Sequence, residues 1–333
     1  MNRKNTITKH ARPALLLLVL GFGSNVLAQG PGMPSAVIKV DCDRSCLIDM
    51  ARNYIKALAN KDADHARLAP DVVFSENDVT MPVGNDGLWG TISKVRDGAL
   101  ELADPQTGNA AWFGIVEEHG KPAYLAMRIR VKNKLITEIE TIVNRAPDGM
   151  PKPFGDPDKV SHDTTWNDML GKEESRSRER LLTVADGYFN TVELNDGDVF
   201  THFTDDCGRL ENGISTTSNG GSASIAQGCE NQFKLGIYRI NKRVRERRYP
   251  LIDEERGIVV ATGFFDHANT FDHYPLKDGR EMKTALKWPN SISLLEAFKI
   301  RDGKISRIEA VFTYVPYFMP SPFAAHNVDH QTR

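Results

Sequence analysis

Apolar positions along this chain fall into two rhythms, and the rhythms recur in the same order twice. Residues 46–58 (CLIDMARNYIKAL) and 180–190 (RLLTVADGYFN) place apolar side chains three and four apart, which predicts two amphipathic helices. Each helix leads into a short Asp-bearing stretch, 61–65 (KDADH) or 195–198 (NDGD). A strand-like run ending in Glu-Asn follows, 69–77 (APDVVFSEN) or 203–212 (FTDDCGRLEN). Tyr54 matches Tyr188, and Glu76-Asn77 matches Glu211-Asn212. Near the end of each half, 131–140 (VKNKLITEIE) and 300–309 (IRDGKISRIE) read as a strand, a tight turn at Asn or Asp-Gly, and a second alternating strand. Upstream of these hairpins lie further apolar strands at 110–116 and 258–265. Three matches in one order predict an internal duplication.

The pattern divides the chain into a leader (1–28), a first domain (40–146), a linker (147–172), a second domain (173–315) and a C-terminal strap (316–333). The linker is rich in Pro, Gly and Asp, with Pro151, Pro153 and Pro157, and is expected to run over the surface without regular structure. The strap, PYFMPSPF at 316–323, has apolar weight and three prolines, so it should lie across a surface or close a pocket mouth.

The leader has the three parts of a secretory signal: basic residues Arg3, Lys4, Lys9 and Arg12, an apolar core at 14–20, and a small-residue cut site ending at Ala28. Cleavage there moves the formal charge from −2 to −6, a mildly acidic balance ill suited to nucleic acid or an anionic membrane. No later apolar run approaches the roughly 20 residues of a membrane span. The mature chain is therefore expected in the periplasm or outside the cell. Its four cysteines then favour disulfides. Three pairings are open, with Cys42–Cys46 and Cys207–Cys229 preferred, and the spacing lacks the CxxC pairs of a zinc site.

The succession of opening helix, short second helix near an Asp, strand and curved antiparallel sheet resembles the nuclear transport factor 2-like fold. The Tyr…Asp…Glu-Asn pattern is similar to its polyketide-cyclase (SnoaL-like) branch. LENG at 210–213 and RYPLIDEERG at 248–257 resemble a bacterial and fungal domain family without an established function. The resemblance covers about 43–143 and 174–315. It implies an α+β protein of two tandem cones, each a curved sheet around a largely apolar pocket. Enzymes of this superfamily include dehydratases, isomerases, cyclases and lyases, and most need no cofactor. They work with an Asp, Glu or His base and Tyr, Asp or Trp hydrogen bonds. Other members only bind ligands or partner proteins, and a homodimer fits the same resemblance.

Candidate chemistry concentrates at 247–274, RRYPLIDEERGIVVATGFFDHANTFDHY, where ionisable groups flank an apolar strand. Asp266 and His267 follow Phe264-Phe265 and supply a carboxylate and an imidazole for general base work. In a regular strand the two must point to opposite faces. Asp272, His273 and Tyr274 add a second set. Glu211 is a candidate base if desolvated, Asn212 could orient a substrate hydroxyl, and Tyr249 could steady an oxyanion. Against these stand plainer readings: an edge-strand Glu, an Asn turn before Gly213, a Tyr packed in the sheet. Because Glu-Asn occurs in both halves, a shared structural role is the stronger reading of that pair. The run Lys242, Arg243, Arg245, Arg247 and Arg248 is expected on the polar face of a helix continuing from Cys229, with one arginine paired to Asp253, Glu254 or Glu255.

The first half has Glu117-Glu118-His119-Gly120 where the second has Asp266-His267, so the main site is expected in the second. Its catalytic candidates are Asp266, His267, Glu211 and Tyr249, and its substrate contacts Asn212, His273, Tyr274 and Phe264. No Walker, dinucleotide, HExxH or GxSxG pattern occurs. Three functions are thus carried forward. The first is a cofactor-independent lyase, dehydratase or isomerase acting on a hydrophobic, hydroxylated aromatic or polycyclic molecule. The second is a carrier of such a ligand, and the third a structural exported protein.

Overall fold

A computed structural model describes residues 41–146, 153–218, 221–284 and 286–324. The leader, with its cut site, and residues 147–152 of the linker lie outside the described residues. Helix α1 (Arg44–Asn60) starts where Asp43 accepts a hydrogen bond from the Cys46 N–H at 2.9 Å, and ends at left-handed Lys61. Seven strands and one short helix follow in the first half: β1 (Leu68–Glu76), β2 (Val79–Thr80), α2 (Leu88–Thr91), β3 (Ile92–Val95), β4 (Leu100–Asp104), β5 (Asn109–Glu118), β6 (Lys121–Lys132) and β7 (Leu135–Arg145). The sheet runs β2-β1-β7-β6-β5-β3, with β4 also on β5.

The second half repeats this plan. Ser177 caps α3 (Arg178–Leu194), followed by β8 (Phe203–Glu211), β9 (Ile214–Ser215) and α4 (Cys229–Leu235). Then come β10 (Arg243–Asp253), β11 (Ile258–His267), β12 (His273–Pro275), β13 (Glu281–Lys283), β14 (Asn290–Arg301) and β15 (Lys304–Pro316). The sheet order is β10-β11-β14-β15-β8-β9, with β12 and β13 forming a separate two-stranded flap. In both halves the first long strand lies parallel to the last, β1 on β7 and β8 on β15, while the closing hairpins are antiparallel. The predicted turns hold: Asn133-Lys134 and Asp302-Gly303 all have positive φ, as a tight hairpin requires. Each half is a nuclear transport factor 2-like cone of α+β class, its sheet curled over its own long helix.

Strand alternation gives each sheet an inner face toward its helix and an outer face toward the other sheet. The outer faces meet in an apolar layer that includes Leu102, Phe113, Ala126, Leu251, Val260 and Leu295. The described residues of both cones form one compact unit. Between the sheets lies a buried charge cluster. Arg128 donates to Glu140 at 2.9 Å and to Glu138 at 2.9 Å, and Arg248 of the second half grips Glu140 from the other side. Burial pushes the Glu140 carboxyl up, but Arg248 and Arg128 outweigh it and hold it below the ordinary range. Removing either arginine would leave a buried charge uncompensated, at a cost of roughly 3–5 kcal/mol. The strap seals this cluster: fully buried Phe323 lies 5.0 Å from the Arg128 guanidinium and 5.4 Å from that of Arg248.

Two expectations are corrected. The arginine run is strand β10, not helix, because Gly236 at φ 78° ends α4 and the charges at 243, 245 and 247 alternate with period two. Its arginines pair with Asp186, Glu193, Glu140 and Asp266, whereas Asp253 and Glu255 are taken by Arg44 of the first cone. The linker is also more than a surface run. Phe154 and Trp166 are buried in the layer between the sheets, the latter on a short 3₁₀ turn (Thr164–Asn167). The cysteines form Cys42–Cys46 and Cys207–Cys229, the second bridging β8 and the start of α4.

Candidate functional site

The inner face of the second cone encloses a cavity of about 320 Å³. Its inward positions follow from register: Phe265 and His267 on β11, Ile292, Leu294 and Glu296 on β14, Ala310, Phe312 and Tyr314 on β15. Tyr188 and Val192 of α3 face it, and Tyr238, Asn241 and the flap residues Tyr274 and Met282 complete the wall. Most of this lining is apolar, so each polar group in it has to be accounted for.

Glu296 is the least conventional of them. It is 2 % exposed, and its Oε2 has no hydrogen-bond partner. Burial, reinforced by the negative charge of Glu211, pushes its carboxyl up to about 8, against the pull of Arg209 and a hydrogen bond with Tyr188. At neutral pH it is therefore a carboxylic acid with hydrogen-bonding capacity left over. Behind it, buried Arg209 donates to the Thr216 hydroxyl at 3.0 Å and to Gln232 and Tyr238. The same guanidinium lies 3.3 Å from Glu211, whose side chain reaches the cavity.

His267 lies elsewhere on the same wall. Asn290 is oriented by donating to the Trp288 carbonyl at 2.9 Å, so its Oδ1 faces the His267 Nδ1 at 3.1 Å. Nε2 lies 2.8 Å from the Asn241 side-chain oxygen. Burial lowers the pKa of this imidazole, opposed by the Asn290 hydrogen bond and the Asp266 charge. Burial favours the neutral ring, which has a single N–H: Nδ1 donates it to Asn290, and Nε2 beside Asn241 keeps the lone pair and is the basic nitrogen.

Of the sequence candidates, the cavity gathers His267, Glu211 and Tyr274, whose hydroxyl donates to the Ile237 carbonyl at 2.6 Å. The others lie elsewhere. Asp266 points to the outer face, bound by the Ser291 hydroxyl at 2.6 Å and Arg245 Nε at 2.9 Å. Phe264 shares that face, with the Arg245 guanidinium 4.3 Å from its ring centre, and Phe265 takes the inward place. Tyr249 donates to Asp186 at 2.6 Å and lies outside the cavity lining. His273 is exposed on the flap. Asn212 sits in left-handed conformation at φ 47° and clamps Phe312, accepting from its N–H at 2.9 Å and donating to its carbonyl at 3.1 Å. Asn77 clamps Val143 identically, at 2.7 and 3.2 Å, so the repeated Asn is a fold device.

Glu296, Tyr188, Arg209 and Asn241 were not singled out as site residues. Glu296 did leave a signal. In SISLLEAFKI (291–300) it occupies the inward rhythm of Leu294 and Phe298, an ionisable side chain on an apolar face.

Fold and cavity together define a nuclear transport factor 2-like fold whose second cone is hollow. Solved structures with a similar fold include such a protein of unknown function from Cytophaga hutchinsonii, 15% identical, covering 32% of this chain and 94% of its own, TM-score 0.25. A candidate polyketide cyclase from Xanthomonas campestris is 18% identical over 41% of this chain and 92% of its own, TM-score 0.28. A de novo designed protein with a curved β-sheet is 18% identical over 30% of this chain and 87% of its own, TM-score 0.25. At these identities the likeness concerns the fold alone. No curated protein matches the chain. The chain belongs to the family described as Domain of unknown function (DUF8021), which matches residues 41–143 and 174–312, one segment per cone.

Proposed function

We propose that the second cone is the site of a cofactor-independent lyase, dehydratase or isomerase acting on a hydrophobic, hydroxylated or carbonyl-bearing ring compound. The observation that carries this reading is Glu296, a carboxylic acid kept protonated and half unbonded in a largely apolar cavity that also presents a neutral imidazole. A pair of groups pushed to opposite protonation states is what proton transfer at neutral pH requires. His267 takes a proton from carbon or from a hydroxyl. Glu296 donates a hydrogen bond to the oxygen on which negative charge develops, backed by Tyr188 and the positive charge of Arg209. The apolar walls of Phe265, Leu294 and Phe312 receive the ring and exclude water. The two disulfides suit an oxidising compartment, and no helix among the described residues is long and apolar enough to cross a membrane. Export through the basic leader is part of this reading.

Deuterium exchange tests it without knowledge of the natural substrate. The wild type should accelerate exchange of the α-protons of 2-tetralone in D₂O, followed by proton NMR. His267→Gln and Glu296→Met should each slow that exchange by about a hundredfold. Equal rates in all three proteins would contradict the assigned roles. Tight binding of the ketone with no catalysed exchange would instead support a carrier of the same ligand class.

A further inference from the structure

A second pocket of about 240 Å³ lies against the apolar cavity, and the two share Ile240, Asn241, His267, Thr284 and Leu286. Its remaining wall differs in kind. Arg239 and Lys242 line it together with the loop from Ala268 to Phe271, and no Asp or Glu does. Neither cation is in an ion pair among the described residues. Among the described residues Arg239 donates only to the Pro275 carbonyl, at 3.2 Å. The His267 wall therefore separates an apolar chamber from a cationic one.

We propose that this pocket is an anion subsite and that the ligand of the second cone carries a carboxylate, held by Arg239 and Lys242 while the ring lies beyond His267. The proposal rests on reading the second cone as a ligand cavity, and narrows the ligand to an amphipathic ring acid. Placing that carboxylate inside the apolar chamber is disfavoured on two counts. Glu211 and Glu296 already face that chamber, and a third carboxyl there would be buried against like groups. The cation nearest to them, Arg209, is bound by Thr216, Gln232, Tyr238 and Glu211, and although its Nη1 has no partner, Arg209 is not among the residues that line the chamber. Across the shared wall, two cations without carboxylate partners meet the anion where solvent still reaches both side chains, so neither ion is fully desolvated.

Paired titrations separate this proposal from the cavity reading beneath it. 2-Naphthoate and 2-naphthol, which share a ring system, are titrated into the wild type and the double variant Arg239→Gln, Lys242→Gln, with naphthalene fluorescence as readout. The double variant should bind 2-naphthoate about tenfold more weakly. Its affinity for 2-naphthol should stay within about twofold, which also reports that the variant is folded. An unchanged affinity for 2-naphthoate, or an equal loss for both probes, would overturn the anion subsite while leaving the cavity intact. Failure of both probes to bind the wild type would overturn the cavity reading and the subsite with it.

Discussion

The two cones share a topology and differ in what fills them. Counted back from the closing turn, Met127 on β6 occupies the place of Glu296 on β14, and the cross-strand partners are Trp112 and Ala261. On the first long strand, Phe74 stands where Arg209 does, two residues before the shared Glu-Asn. Tyr54 and Tyr188 hold equivalent helix positions. Tyr54 accepts a hydrogen bond from fully buried Trp89 at 3.0 Å, whereas Tyr188 bonds Glu296. The first interior is thus closed by two tryptophans, a methionine and a phenylalanine. At the rim, Glu118 and Arg145 form an ion pair at 2.6 Å in the positions of His267 and Tyr314. A few exchanges of large for small, and of apolar for ionisable, convert a packed core into a cavity with an acid and a base. The first cone is then free to contribute its outer face, Glu140 and Arg44 to the join.

Transferring residues between the cones tests this comparison. The largest effect is expected from Ala261→Trp, which puts the Trp112 side chain into the second interior. It should abolish binding of 2-naphthol and catalysed exchange of 2-tetralone, read by calorimetry and NMR, while the strand content persists by circular dichroism. Undiminished binding would show that the ligand lies elsewhere.

A smaller effect is expected from Glu296→Met. The carboxyl has a folded pKa near 8 against an ordinary 4.5, so the native state holds its proton more tightly than the unfolded chain. Its contribution to stability is fully present below about pH 4.5 and is lost as pH rises toward 8. Replacement by methionine should remove that slope, raising stability at pH 8 relative to pH 5 by on the order of a few kcal/mol compared with wild type. Urea unfolding at the two pH values measures it. Parallel pH profiles would mean that Glu296 is not held protonated.

Much of the fold was legible because duplication is a pattern in order, and order survives where identity fades. Helix period, Glu-Asn strand ends and closing hairpins all reappear where expected. The site was legible only in part, since alternation fixes which residues share a face but not which face is hollow. Phe264-Phe265 and Asp266-His267 show this: within each pair, alternation allows only one residue into the cavity, and tertiary packing selected Phe265 and His267. Asp266 drew attention as an acid beside a base, yet it serves Arg245 and Ser291 on the opposite face. Glu296 was hidden in an apolar strand whose depth only the cone reveals. The arginines of β10 misled because charge density suggests a solvated helix, whereas Arg248 is buried between the sheets.

The central claim is that one cone is hollow and the other solid, and the binding stoichiometry of 2-naphthol measured by isothermal titration calorimetry tests it most directly. One molecule per chain for the wild type, unchanged in a Met127→Leu variant of the first cone, is the predicted result. Two molecules per chain, or a single site weakened by Met127→Leu, would place a ligand in the first cone and contradict the account.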